Sequence, residues 1–131
     1  HFEKPLELCF DDGENVGNYN TQHHWINGNG KLYLVYTRRG FNNDHIMRHR
    51  APLFIAEFDT DKMCLIRETE QVVVPERGAR LGNFGCFNVS EKEAYVVASE
   101  WMQTIGPDAS DWRKCMQYGR DNSIFVVKIT F

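Results

Sequence analysis

The chain has 131 residues, enough for one domain with a real core and too few for two. Its 42% hydrophobic and 25% charged content sets it apart from disordered chains, and 18 acidic against 15 basic residues argue against a nucleic-acid-binding surface. No apolar run approaches the roughly 20 residues a membrane helix needs, so neither a membrane nor a nucleic acid is expected as a partner.

In chain order, the first expected strand is 6–10, Leu-Glu-Leu-Cys-Phe. His24-Trp25-Ile26 opens the next, and the turn Asn27-Gly28-Asn29-Gly30 leads into a β-branched and aromatic run at 31–37. Residues 52–58 form another run, closed by a polar turn at 59–62, and 65–74 read as one further strand. Residues 86–89, 94–98 and 124–129 complete the series. Only 108–118 suggests a helix, with Trp112, Cys115 and Met116 at helical spacing after a candidate Ser110 cap. Cys9, Cys64, Cys86 and Cys115 show neither a CxxC nor a metal-ligand spacing, so free thiols, no metal and no cofactor are expected. The chain opens on His1 and carries no recognisable targeting segment, which leaves its compartment open, secreted and periplasmic places included.

The strands repeat. Trp25-Ile26-Asn27, a turn and Leu32-Tyr33-Leu34-Val35 are echoed by Cys86-Phe87-Asn88, a turn and Ala94-Tyr95-Val96-Val97. A third strand follows in each copy, at 53–55 and 124–126. Such a recurring antiparallel unit suggests an all-β chain built as four-stranded blades of a β-propeller, about two of them, with a generic β-sandwich as the alternative. The expected division of this single partial domain is 11–74 and 75–131, with 6–10 as an extra strand. That strand is expected to supply the missing outer strand of the second unit or to pair with a neighbouring molecule, giving a homo-oligomer through exposed edges.

The unusual polar residues fall in four segments. Asn20 to His24 leads into the first unit and Arg38 to Arg50 joins its second and third strands. Pro75 to Asn83 leads into the second unit, and Ser99 to Met102 opens its corresponding loop. In an antiparallel sheet those loops lie at one end, so a site is expected there, on loops carried by a rigid scaffold. Arg38, Arg39, Arg50, Arg77 and Arg80 supply planar forks for a carboxylate or sulfate, with Asn20 and Gln22 beside them. Glu100 and Glu76 are the candidate proton-transfer carboxylates, with His24 as a further candidate, and Trp101 offers a flat platform for a sugar ring. The bland alternative is that Arg77 and Arg80 only pair with Glu76 or carbonyls and lock their loop.

At these residues the chain resembles a bacterial sialidase-like family of propellers, the exo-sialidase or BNR-repeat type. The matching stretches are Asn20-Thr21-Gln22-His23-His24-Trp25, Leu34-Val35-Tyr36-Thr37-Arg38-Arg39 and Arg48-His49-Arg50-Ala51-Pro52-Leu53-Phe54. Pro75-Glu76-Arg77-Gly78-Ala79-Arg80-Leu81-Gly82-Asn83-Phe84 and Ser99-Glu100-Trp101-Met102 complete the match. The resemblance implies a six-bladed propeller of which this chain would be the C-terminal part. It also implies a glycoside hydrolase acting on an anionic or polar glycan. No Asp-box of the form S-x-D-x-G-x-x-W occurs, and the sialidase catalytic groups have no residue-by-residue match here. A non-catalytic glycan-binding module and an inactive fragment are the alternatives.

Overall fold

A computed structural model of the chain describes residues 2–19, 21–101, 113, 116 and 123–131. The fold is all-β, with eight strands in two antiparallel sheets and no closed sheet among the described residues. The first sheet holds β1 (His24–Gly28), β2 (Lys31–Tyr36), β3 (Leu53–Asp59) and β4 (Cys64–Leu65) in that order, with β5 (Gln71–Val74) also pairing β3. The second holds β6 (Arg80–Ser90), β7 (Glu93–Trp101) and β8 (Ile124–Thr130).

Alternation explains why these segments are strands. Along β3, Leu53 and Ile55 face one side of the sheet while Phe54, Ala56 and Phe58 face the other. The first set joins Ile26, Tyr33 and Val35 in a core shared with Leu81, Phe84, Ala94, Val96 and Ala98 of the second sheet. The second set joins Leu34, Tyr36 and Leu65 in a separate core, sealed by Phe10 and Val16 of the N-terminal segment. Fully buried side chains such as Phe54, Leu34 and Ile26 each contribute about 1.5–3 kcal/mol.

The two sheets meet through their first strands: β1 lies against β6 and β7, and β5 approaches β8. Their hairpin turns are stitched together. The Asn27 amide donates to Asn88 Oδ1 at 3.0 Å, Asn88 Nδ2 donates back to the Asn27 carbonyl, and the Asn29 amide donates to the Glu91 carbonyl at 2.7 Å. Gly28 has no side chain because the Phe131 ring occupies the place of a Cβ, and that ring also packs on Tyr33 at 5.0 Å.

Several expected boundaries move. The strand expected over 65–74 is broken by a 3-10 turn at Arg67–Thr69. There Thr69 Oγ1 donates to the Ile66 carbonyl at 2.7 Å and accepts from the Glu57 amide at 2.9 Å, so a side chain takes the place of a ladder partner. β6 starts at Arg80 rather than near 86, because Arg80 pairs with Trp101 and Leu81 with Glu100, with the register shifting between Leu81 and Phe84. Residues 6–10 do not supply a fourth strand for the second sheet. Phe10 instead bridges in parallel to Leu65 at the outer edge of the first sheet, and Cys9 bridges to Asn15. The buried Phe10 ring draws the segment there, under the Tyr36–Phe54 layer. The helix expected over 108–118 lies on residues outside those described, apart from Arg113 and Met116, and so does Cys115. Cys9, Cys64 and Cys86 are free thiols, and burial pushes Cys86 up to about 12.

Candidate functional site

The loop ends converge as strand parity predicts. Tyr36 at the end of β2 pairs with Phe54, and Val74 at the end of β5 pairs with Leu53, so the segments after 36 and after 74 leave the first sheet at the same end. The second sheet aligns with that end: the Leu81 amide donates to the Arg50 carbonyl at 3.0 Å, and Gln22 Nε2 donates to the Phe84 carbonyl. Arg50, Glu76, Arg77, Arg80, Glu100 and Trp101 therefore gather where the two sheets open.

Arg38 belongs to a different network on the far face of the first sheet. Its guanidinium grips Glu70 in a fork, Nη2 to Oε1 at 2.6 Å and Nε to Oε2 at 2.7 Å. The Tyr36 hydroxyl donates to the same Glu70 oxygen at 2.6 Å. Phe54 and Phe10 lie 5.1 and 5.6 Å from the Arg38 charge. Burial, then the hydrogen bond to Glu70, push the Tyr36 hydroxyl far above its ordinary range. Only 12% of the Arg38 side chain and 11% of that of Glu70 are exposed, and the pair ties the end of β2 to the segment before β5. Arg39 is exposed, and its amide donates to the Gly17 carbonyl at 3.1 Å.

Between the sheets, Glu100 is buried on the inner face of β7, with 2% of its side chain exposed. One oxygen faces Arg77 Nε at 3.4 Å and the other accepts from the Ser123 amide at 3.3 Å. Glu76 is partly exposed, pairs with His45 at 3.2 Å and accepts from the Gly78 amide, which folds its own loop back on the carboxylate. His24 shares a 3.0 Å contact with Gln22 and stands edge-on to Phe84 at 5.0 Å. Asn20 lies outside the described residues.

The exposed cluster at this end is smaller than the sequence suggests. Arg80 lies over the exposed Trp101 ring, 4.9 Å from its centroid, on paired β6 and β7 positions. Arg50 Nη2 donates to Asn83 Oδ1 at 2.8 Å. Burial, then repulsion from Arg80 and Arg48, pull the Arg50 guanidinium below its ordinary range, so three positive charges crowd this corner. Met47, at the start of the 3-10 turn Met47–His49, contacts Arg80. Arg48 and His49 in that turn hold left-handed backbone at φ 57° and 50°. Sequence reasoning missed Glu70 and Asn83. Glu70 carries no local signal, since its partner Arg38 is 32 residues away. Asn83 lies inside the run expected to be functional, and Arg50 marks its role only once the sheets are aligned.

Among the described residues, no group of three or more His, Cys, Asp or Glu is placed to hold a metal ion. Comparison with protein-family models, with curated proteins and with solved structures finds no match for this chain.

Proposed function

We propose that this corner is an anionic-glycan-binding surface, carried by two neighbouring blades of a sialidase-like β-propeller. The blade reading is supported by the facing first strands β1 and β6 and by the hydrogen bonds between Asn27 and Asn88, which hold matching places in the two units. The observation that carries the binding reading is the Arg80–Trp101 pair beside Arg50. A planar cation lies against an aromatic platform, next to a second guanidinium it repels. A carboxylate or sulfate on a sugar would relieve that repulsion while the apolar face of the ring stacks on Trp101. Glu100, enclosed with Arg77, acts as a positioning residue for the β6–β7 platform.

Glycoside hydrolysis is the second reading, favoured by the partly exposed Glu76 beside His45, a pair able to exchange a proton. It requires a second carboxylate about 5–10 Å away across the bound sugar.

Calorimetric titration with the methyl glycoside of a sialic acid, and with a neutral methyl galactoside as control, tests the proposal. The acidic sugar is expected to bind and the neutral one not. Arg80→Ala and Arg50→Ala should each weaken binding at least tenfold, about 1.4 kcal/mol. Equal binding of both sugars, or unchanged binding by both variants, overturns it. Release of sugar from a labelled sialoside that is abolished by Glu76→Gln would establish the second reading.

A further inference from the structure

Among the described residues, the outer face of the second sheet carries an uncovered apolar patch, bordered by the Glu93–Lys128 pair. Phe87 is 54% exposed, Val126 63% and Ile124 70%, and Tyr95 stacks on Phe87 at 5.6 Å with the rings 15° apart. Beyond Gly85, in the same face, a Cβ would meet nothing. Scattered apolar residues on a surface need no explanation, but a contiguous patch on three paired strands does.

The register of the first sheet supplies one. There Ile26 pairs with Tyr33 and Val35 with Ile55; in the second sheet Phe87 pairs with Tyr95 and Val97 with Val126. The matching positions Ile26 and Val35 are 0% exposed, because that face of the first sheet packs on the second. The same side-chain pattern is thus buried by a sheet in one unit and open to water in the other.

The complementary surface is open as well. The face of the second sheet that receives the first includes Cys86, whose counterpart in the first sheet is Trp25. Trp25 is 51% exposed, and beside it a cleft of about 510 Å³ runs between β1, β2 and the N-terminal segment, lined by Leu8, Val16, His23 and Leu34. The N-terminal segment covers the Phe54–Leu65 part of that face and leaves the Trp25 part open.

We infer that a second copy of this chain covers the Phe87–Val126 face, seating the Trp25 side of its first sheet there and so continuing the sheet-on-sheet contact already made within each chain. The pairing is head-to-tail, each copy offering one face and receiving on the other. It rests on exposure and register rather than on the glycan reading, although Trp101, with Arg80 over its ring, stands at one end of the same face.

Sedimentation from about 5 to 200 µM, a range suited to interfaces smaller than standard size, tests it. The wild-type chain should associate with rising concentration. Val126→Lys and Trp25→Lys alter positions already more than half exposed, so near-UV circular dichroism should show both variants folded, and each alone should be monomeric. Mixed in equal amounts they should form a one-to-one dimer, because each retains the face the other has lost. A wild-type chain that stays monomeric overturns the inference and gives this face to a different protein layer. A folded Trp25→Lys variant that associates like wild type also overturns it, pointing to pairing of two Phe87 faces.

Discussion

Tyr33 in the five-stranded sheet and Tyr95 in the three-stranded sheet hold the same place, 62 residues apart, each on the second strand of its sheet. Tyr33 packs on Phe131 between the sheets, whereas Tyr95 stacks on the exposed Phe87. The polar pair at this level is preserved with its charges exchanged: Lys31 bonds Glu57 at 2.7 Å in the first sheet, and Glu93 bonds Lys128 at 2.5 Å in the second. A strand needs only alternation and an opposite neighbour, and both units have those. Whether a face is dry depends on what layer arrives. The first sheet has its second face sealed by residues 8–16 and its outer strands locked by Arg38–Glu70; the second, among the described residues, has neither.

Removing that lock is the strongest way to make the first sheet behave like the second. Glu70→Ala leaves the Arg38 charge and the Tyr36 hydroxyl without their acceptor at a nearly buried site, and should cost about 3 kcal/mol in urea unfolding. A loss under about 1 kcal/mol would mean the network is a surface pair. The matching place to Tyr36 in the second sheet is Ala98, where no such group exists.

The next contrast is Gly28 against its counterpart Val89. A methyl at 28 runs into the Phe131 ring, so Gly28→Ala should cost about 1–3 kcal/mol. Val89 is 57% exposed, and Val89→Ala should stay within about 0.5 kcal/mol. Equal costs would show that the two turns are not packed differently.

The smallest effect is acidic detachment of the N-terminal seal. The Arg67 hydrogen bond holds Asp12 below its ordinary value of 3.8. A depressed carboxylate contributes stability above that value and loses it as pH falls through the folded pKa. Protection against amide exchange at Phe10 and Asp11, whose N–H groups donate to Glu14 and Leu65, taken relative to the intrinsic rate at each pH, should therefore fall under acid before that of β2 and β3. Asp12→Asn should remove this pH dependence; an unchanged profile would place the acid sensitivity elsewhere.

Sequence alone determined the hairpins 24–36 and 86–98, because β-branched and aromatic alternation around Asn-Gly or charged turns is local information. It also determined that the polar segments share one end, since strand parity follows from antiparallel order. Tertiary structure decided which polar residues are paired within the fold. Arg38 and Arg50 look alike in sequence, but Arg38 meets Glu70 from 32 residues downstream and Arg50 meets Asn83 from 33. It likewise decided the break at Arg67–Thr69 and the early start of β6, each set by a partner on another strand. A strand is selected by its own side chains, whereas a charge is neutralised, and a face dried, only by residues that the fold carries to it from far along the chain.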